Sequence, residues 1–484
     1  MGSDENRRKH SVIYNVVMNA IVMTSSFLFP LITVPYLSRV LLEYGNGLVS
    51  FAQNFVYYFA TIASMGVASY GVVACSRARE DRGTFSRTTI EILIVLMGAS
   101  ALMSVLYLAM VLVLPRFGDA RALYIFMVSS IWTTAFSLEW FYQAIEKYDY
   151  ITIRALIVRT LGTICIFIFV KDANDYLLYA AITVATQAIS CAINFGRLRR
   201  IVDFSSLRGL RPLRHVKAML SYLIMSVGKG MANNADVTVL GFAGTVEMVG
   251  VYQIASKVKN MVVVAVDSVG SVLLPRLTSY KTSGNDGYYS NLLTHGVNFA
   301  LLMGCYALCG LVLCSRPIVD ILGGELYMGA VAPLIATSPA VLFASGTSVL
   351  SQTLLVNDGE RRFALANLVG LIVSVVSSIC LVPLLGIVGS GVSASLSQLA
   401  ILSLTAFFSR HELAPVLTNS DWHKILLVAF AAFAVGSVLS SCFTACGSVV
   451  QLVAIGSIYS LSFGAGLLVS KESLFMEILS RFRR

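Results

Sequence analysis

Ionisable and amide side chains recur at helical spacing inside otherwise apolar segments of this chain. Residues at positions i, i+4 and i+7 lie on one face of a helix. Lysines on such a face can neutralise an anionic ligand, carboxylates can take part in cation coupling, and amides can hydrogen-bond to a polar ligand. Two faces have this pattern: Lys229, Asn233 and Asp236 in one segment, and Gln253, Lys257, Asn260 and Asp267 in the next.

The segments that carry these residues belong to a chain that is too apolar to fold in water. Of its 484 residues, 57% are hydrophobic and 12% are charged, and the mean hydropathy is +0.79. In lipid every backbone polar group must be satisfied internally, so only helices or a closed barrel can span the membrane. The apolar runs are far longer than the roughly 10-residue strands of a barrel, so we predict an all-α integral membrane protein.

About fourteen apolar segments are long enough to be transmembrane helices. They are predicted at residues 12–40, 47–75, 90–114, 121–143, 152–170, 176–196, 218–242, 248–274, 291–314, 329–354, 363–383, 388–408, 424–442 and 448–470.

Lysine and arginine are concentrated in every second connection between these segments. The N-terminus, the even-numbered connections with their flanks and the C-terminal tail hold 26 of the 35, whereas the odd-numbered connections hold four. The positive-inside rule therefore predicts that both termini are cytoplasmic. The net charge of +10 is mainly a topology signal that also favours anionic membrane lipids, and we expect no nucleic-acid partner.

The connections leave no room for a soluble catalytic domain, since none exceeds about 22 residues. We therefore expect a protein that is not an enzyme and has no cofactor. The five histidines have no metal-ligand spacing, so no metal is expected. Only Cys442 and Cys446 approach the predicted outer face, where an unbridged pair is favoured over a disulfide.

The most basic connection, residues 196–217, follows the sixth predicted helix and indicates a linker between two halves. We predict an N-terminal lobe at 1–205, a C-terminal lobe at 206–410, and two further helices with a tail at 411–484. An offset of 203 residues aligns similar positions in the two halves, as expected for a parallel repeat. The aligned pairs are Leu37 with Leu240, Gly47 with Gly250, and Ala52 with Ala255.

Further polar residues lie inside other predicted helices, and together they predict a central polar cavity lined by the first, second, fourth, seventh and eighth helices. Gln53 and Glu139 are on two of these helices, and Arg39 and Arg159 are charged residues inside the first and fifth. Uncharged members can instead hold helices together, and Arg39 can extend to the outer interface. Pro30 and Pro35 should bend the first helix, as a gate or as a static kink.

Four segments resemble the Wzx-type oligosaccharide flippases, a polysaccharide-transporter branch of the multidrug/oligosaccharidyl-lipid/polysaccharide exporter superfamily. Residues 29–81 are similar to the opening helix pair of that family, and residues 139–154 (EWFYQAIEKYDYITIR) to its motif at the end of the fourth helix. The other two segments are SVLLPRLTSY at the end of residues 249–280 and the glycine-rich turn at 386–391.

This resemblance implies two six-helix lobes plus two extra helices in the bacterial plasma membrane. It implies a flippase that carries undecaprenyl-pyrophosphate-linked oligosaccharide units to the outer leaflet by alternating access, for surface polysaccharide biosynthesis. Its implied partners are that lipid-linked oligosaccharide and membrane lipids, together with a polysaccharide polymerase and a chain-length regulator.

In such a flippase the polar residues would divide into two roles. Asp236, Glu139 and Pro35 would serve in coupling or gating. Cationic side chains would neutralise the diphosphate and amides would contact the sugars, which gives the predicted substrate-binding set Arg39, Lys229, Lys257, Asn233, Gln253, Gln53 and Arg159.

Three other functions are compatible with parts of the pattern. A cation-coupled multidrug exporter would use Asp236 as its coupling carboxylate, and a peptidoglycan-precursor flippase would carry a related lipid. A membrane polymerase or glycosyltransferase is disfavoured, because the largest outer connection, residues 315–328, has only Asp320 and Glu325 as carboxylates.

Overall fold

A computed structural model describes residues 12–204, 209–443, 446–472 and 475–476, and all regular structure in these ranges is helical. Short 3-10 turns at Pro115–Phe117, Glu325–Ala330 and Ser441–Phe443 join some of the helices. The nineteen α-helices are α1 Val12–Ala63, α2 Val67–Ala78, α3 Arg82–Val113, α4 Arg121–Met127, α5 Ser129–Ala135, α6 Glu139–Ala144, α7 Tyr148–Phe169, α8 Tyr176–Ile201, α9 Leu213–Ala232, α10 Ala235–Ala243, α11 Val246–Thr282, α12 Asp286–Leu313, α13 Ser315–Gly323, α14 Val331–Val356, α15 Glu360–Leu385, α16 Ile387–Phe408, α17 Arg410–Asn419, α18 Trp422–Ser440 and α19 Ser448–Ser470.

Every predicted transmembrane segment is mainly helical in the structure. Three segments are interrupted: 47–75 between α1 and α2, 121–143 between α4, α5 and α6, and 218–242 between α9 and α10. Within the described ranges, twelve helical stretches are long and apolar enough to cross a membrane. One of them, Thr24–Ala78, is 55 residues long, whereas about 20 residues are enough for one crossing. Another predicted segment, 218–242, corresponds to α9 and α10, which are not among the twelve. The total of fourteen stays a prediction.

The long α1 is divided at Leu42, whose backbone dihedrals (φ 56°, ψ −172°) are not helical. Pro30 and Pro35, at which the sequence predicts a bend, lie in the part that precedes this break. The residues after the break continue as a helix to Ala63, and Gly66 then separates α1 from α2. Gly66 has φ +69°, and a Cβ there would lie 2.5 Å from the backbone nitrogen of Leu223. Glycine is therefore required at this turn.

The chain forms two compact units. Unit 1 comprises residues up to Leu41 together with Ala52–Ile224, and unit 2 comprises Leu42–Phe51 together with the residues from Met225 onward. The lobe boundaries derived from the sequence are not tested by this division and stay predictions.

In unit 2 the second part of α1 crosses α11 at two glycines. A Cβ on Gly47 would lie 2.0 Å from the Val246 carbonyl oxygen, and a Cβ on Gly250 would lie 2.0 Å from that of Glu43. Only glycine permits two helices to approach so closely. These two glycines are also a pair aligned by the 203-residue offset. The repeat itself stays a prediction.

The last two long helices pack onto α12 in unit 2. Leu302 and Cys305 of α12 form a buried apolar cluster with Ile425 and Val428 of α18 and with side chains of α19. The rings of Tyr306 and Tyr459 stack at 5.2 Å between centroids. Van der Waals packing of this kind is the main force that holds helices together in lipid.

Candidate functional site

Unit 1 has an open cavity of about 600 Å³ between α1, α5, α6, α7 and α8. This volume falls within the range of small-molecule binding sites. Its wall is rich in hydroxyl and amide groups, which include those of Ser25, Thr33, Thr133, Ser137, Thr183 and Gln187. Such groups can donate and accept hydrogen bonds with a ligand that carries many hydroxyls.

Two arginines and one glutamate also line the cavity. The guanidinium of Arg154 donates from Nη2 to Glu139 Oε1 at 2.8 Å; the Arg154 side chain is 3% exposed and that of Glu139 is 50% exposed. The buried Nε of Arg154 has no hydrogen-bond partner among the described residues. A buried donor without an acceptor costs about 1–3 kcal/mol, so a ligand that supplies an acceptor at this position would be favoured.

Arg159 is the second cation of the cavity, and it lies near the middle of α7. Its Nη1 donates to the Val22 carbonyl oxygen at 3.1 Å and to the hydroxyl of Ser25, both on α1. Both acceptors are neutral, and Arg159 forms no ion pair with a described carboxylate. Because Glu139 neutralises Arg154, the cavity retains one positive charge in excess, which an anionic group can balance.

Local backbone features bring these side chains together. Leu138, which is fully buried, has φ 59°, and this left-handed residue sets the start of α6 at Glu139. Such a conformation is costly for leucine and is retained only where the surrounding structure imposes it. On α7, Gly162 allows α8 to approach closely, since a Cβ there would lie 2.7 Å from Thr186 Oγ1.

A hydrogen-bond network fixes α6, α7 and α8 beside Glu139 and Arg154. The Tyr142 hydroxyl donates to the Asn194 carbonyl oxygen at 2.7 Å, and the Tyr150 hydroxyl donates to Asn194 Oδ1 at 3.0 Å. The amide of Asn194 donates in turn to the Ser137 carbonyl oxygen. The two charged residues are thus held by neighbours whose positions are themselves fixed.

Among the other predicted residues of unit 1, Gln53 lies within reach of the hydroxyl of Tyr179, which lines the cavity. Arg39 is exposed, and its Nη1 donates to the carbonyl oxygen of Pro35 at 2.8 Å. Arg39 therefore folds back on its own helix, as expected for a residue that extends along the helix surface. Its role in substrate binding stays a prediction.

Unit 2 places Asp236 in a buried ion pair. Its Oδ2 accepts a hydrogen bond from the Tyr252 hydroxyl at 2.5 Å and lies 3.3 Å from Lys259 Nζ, and its Oδ1 accepts from the Val237 backbone N–H at 2.9 Å. The side chains of Asp236 and Lys259 are 1% and 5% exposed. The partner of Asp236 is thus Lys259, the lysine that lies on another side of α11 from Lys257.

The other predicted residues of unit 2 lie on α9 and α11, except Asn233 in the turn between α9 and α10. Gln253 and Lys257 are partly buried on α11, and Asn233 accepts a hydrogen bond from Gln398 Nε2 at 2.9 Å. Asn233 also lines a small recess with Asp267 and others. The side chain of Lys229 lies outside the described residues. The predicted functions of all these residues, and the central cavity that they were expected to line, stay predictions.

Sequence reasoning missed Arg154 and a second charged cluster around Glu91. Glu91 of α3 is fully buried; its carboxylate accepts from the Arg211 backbone N–H at 2.8 Å and from Arg214 Nε at 2.7 Å. His215 Nε2 lies 2.8 Å from Glu91 Oε2, and His215 Nδ1 lies 2.5 Å from the Tyr70 hydroxyl. A neutral imidazole with its proton on Nε2 would satisfy both contacts.

This cluster ties the connection before α9 to α3. We expect Glu91→Ala to lower the free energy of unfolding by about 1–3 kcal/mol, because it removes the acceptor of three donors in a buried setting. Thermal unfolding of the purified protein would measure this, and trypsin should cut faster after Arg214. Glu80→Ala, at an exposed carboxylate of the same unit, is the control. Equal melting temperatures for the two variants would contradict the anchoring role.

Comparison with solved structures shows that this all-helical fold has a known counterpart. The lipid II flippase MurJ superposes with a TM-score of 0.72 at 12% identity, covering 94% of this chain and 100% of that one. At this identity the likeness shows the fold.

The sequence model of the family described as Polysaccharide biosynthesis protein matches residues 12–281. The chain therefore belongs to that family. A protein of Escherichia coli K12 named as an O-antigen transporter is 20% identical over 414 residues, which cover 84% of this chain and 98% of the relative. A protein of Shigella dysenteriae with the same name is 24% identical over 72% of this chain and 87% of its own length. The protein is a multi-pass membrane transporter of polysaccharide biosynthesis.

Proposed function

We propose that this protein is a flippase for lipid-linked oligosaccharides, which it carries across the bacterial plasma membrane by alternating access. The cavity of unit 1 is the observation that carries the proposal. Hydroxyl and amide groups on its wall suit a saccharide, and its excess positive charge suits an anionic lipid headgroup. The O-antigen transporters to which the chain is similar support the same substrate class.

The chemistry of such a substrate explains why a transporter needs this cavity. A sugar attached to undecaprenyl pyrophosphate is excluded from lipid, whereas its tail is soluble there, so the protein has to supply a polar path for the headgroup alone. Arg159 would contact the diphosphate or another anionic group of the ligand, and the hydroxyl-lined wall would contact the sugar. No bond has to be made or broken, so we infer transport without catalysis.

The membrane potential can contribute to the direction of transport. Moving one elementary charge across 100 mV involves about 2.3 kcal/mol, so about two negative charges leaving a negative interior gain roughly 4–5 kcal/mol. The 26 Lys/Arg of the connections predicted to be internal support cytoplasmic termini. Coupling to a cation through Asp236 or Glu139, and contacts with a polymerase or chain-length regulator, are further parts of this proposal.

Deletion of the gene separates this function from its competitors. We expect surface polysaccharide to be lost and lipid-linked oligosaccharide to accumulate in the inner leaflet, while drug susceptibility and cell-wall integrity do not change. Restoration by the cloned gene is the control. Increased drug susceptibility with normal polysaccharide would favour the multidrug exporter, and cell lysis with accumulated peptidoglycan precursor would favour the second flippase function.

A further inference from the structure

Unit 1 has a second cavity, of about 570 Å³, where the end of α8 meets the start of α3. Arg82 of α3 and Arg199 and Arg200 of α8 line it together with Asp203. Phe195 and Phe204 add apolar surface to the same wall. The cavity thus combines three guanidinium groups, one carboxylate and two aromatic rings.

The positive charge in this cavity is not balanced from within. Some other arginines of unit 1 are paired with carboxylates, at 2.8 Å for Arg79 with Glu146 and at 2.7 Å for Arg214 with Glu91. In the part of the chain that the structure describes, Arg82, Arg199 and Arg200 form no ion pair. With Asp203 counted, the four charged side chains leave two positive charges in excess.

The walls of the cavity are fixed by hydrogen bonds. The Asp203 backbone N–H donates to Ser86 Oγ at 3.1 Å, which joins the segment after α8 to α3. Asp81 caps α3 and accepts from the Thr84 backbone N–H at 2.9 Å. Hydrogen bonds from Thr84, with that from Gly83, lower the pKa of the Asp81 carboxyl, so this cap stays ionised at neutral pH.

The cavity lies at the C-terminal end of α8 and the N-terminal end of α3. The positive-inside rule assigns these helix ends to the cytoplasmic face, where lipid headgroups are expected. Topology alone accounts for arginines near the end of α8, where the helix dipole also favours them. It does not account for Arg82 of a different helix converging on the same cavity. Guanidinium groups bind phosphate oxygens in a fork geometry, and aromatic rings can contact the adjoining glycerol or prenyl carbons.

We propose that this cavity binds the phosphate group of a lipid in the cytoplasmic leaflet. Two lipids carry that chemistry: an anionic phospholipid, and a prenyl diphosphate of the kind proposed as the substrate carrier. Phosphate binding here does not depend on the proposed flippase function, because a phospholipid would bind whether or not the protein transports oligosaccharides.

Binding can be measured on the full chain in nanodiscs by thermal unfolding and by lipid retention in native mass spectrometry. Three lipid compositions are compared: phosphatidylcholine alone, phosphatidylcholine with phosphatidylglycerol, and phosphatidylcholine with undecaprenyl diphosphate. We expect the wild type to retain at least one of the two anionic lipids. The double variant Arg199→Gln/Arg200→Gln should retain it about tenfold less well, because charge-assisted hydrogen bonds are lost.

The matched control is Arg361→Gln/Arg362→Gln, which removes two exposed arginines from another connection predicted on the same face. It should behave like the wild type. If the test variant, unlike the control, loses only phosphatidylglycerol, the cavity is a phospholipid site. If it loses only undecaprenyl diphosphate, the cavity is a site for the prenyl carrier. Equal retention by the test variant, the control and the wild type would overturn the proposal.

A folding defect has to be separated from a binding defect. Both double variants should melt at the wild-type temperature in phosphatidylcholine alone. If the test variant does not, Arg82→Gln, on the opposite wall, provides the same measurement without a change to α8. Wild-type retention by Arg82→Gln would then count against the site.

Discussion

Arg159→Ala is expected to reduce transport by about tenfold or more, with the protein still present in the membrane at its normal amount. Arg159 is a cation of the unit 1 cavity that is held by neutral acceptors on α1. A charge-assisted hydrogen bond to an anionic ligand is worth about 1.5–3 kcal/mol, which corresponds to roughly a 10- to 100-fold change. Surface polysaccharide in a deletion strain, and flipping of lipid-linked oligosaccharide in proteoliposomes, would measure the effect.

Two further variants distinguish ligand binding from helix packing. Arg159→Lys retains the charge without the planar fork, so it should recover part of the transport if the ligand is anionic. Arg276→Ala removes an exposed arginine that does not line the cavity, and it should transport normally. Full transport by Arg159→Ala at normal abundance would remove the cavity from the mechanism. Low abundance of Arg159→Ala would instead assign Arg159 to packing between α7 and α1.

The helices of this protein could be predicted from hydropathy because lipid imposes so simple a constraint. Each predicted segment is mainly helical in the structure. The predicted helix pair at 363–408 separates at Gly386, and the pair at 424–470 separates between Ser440 and Ser448. The internal break at Leu138 could not be predicted in the same way. Leucine gives no local signal for a positive φ, so only the packing of its fully buried side chain selects that conformation.

The residues of the unit 1 cavity illustrate what helical spacing leaves undetermined. Glu139 and Arg159 were both identified from the sequence as ionisable groups within membrane segments. Their common cavity depends on how α6 and α7 are rotated against each other, which the spacing along one helix does not specify. Arg154 was missed because it lies near the predicted end of a segment, where a basic residue already has a topological explanation.

The burial of Glu91 and the partner of Lys259 could not be predicted for a related reason. Glu91 is the second residue of a predicted apolar segment, and a carboxylate there is easily read as a solvated end. Its burial becomes evident only once the connection that carries Arg211 and His215 is placed on it. The helical spacing places Lys259 on another side of α11 from Lys257, but the spacing along one helix does not specify its partner on α10.

The ion pair of Asp236 and Lys259 gives the second large expected effect, on stability. Asp236→Leu should lower the free energy of unfolding by about 3–5 kcal/mol, because it leaves the ammonium of Lys259 buried without its carboxylate. Lys259→Met should lower the free energy of unfolding by a similar amount, because it leaves the carboxylate of Asp236 buried without its cation. The double variant should be more stable than either single variant, since a buried pair can be replaced by apolar residues at little cost. Thermal unfolding in one detergent or lipid composition would give all three values.

The same double variant tests whether Asp236 also couples transport to a cation. Asp236 accepts hydrogen bonds from Tyr252 and Val237 besides its contact with Lys259, so both of its carboxylate oxygens already have partners within the protein. If the pair is structural, Asp236→Leu/Lys259→Met should restore transport together with stability. Restored stability without transport would instead support the coupling role, because a stable helix pair would then lack only the ionisable carboxylate. Additive losses of stability in the double variant would contradict the ion pair itself, since additivity is expected only of residues that do not interact.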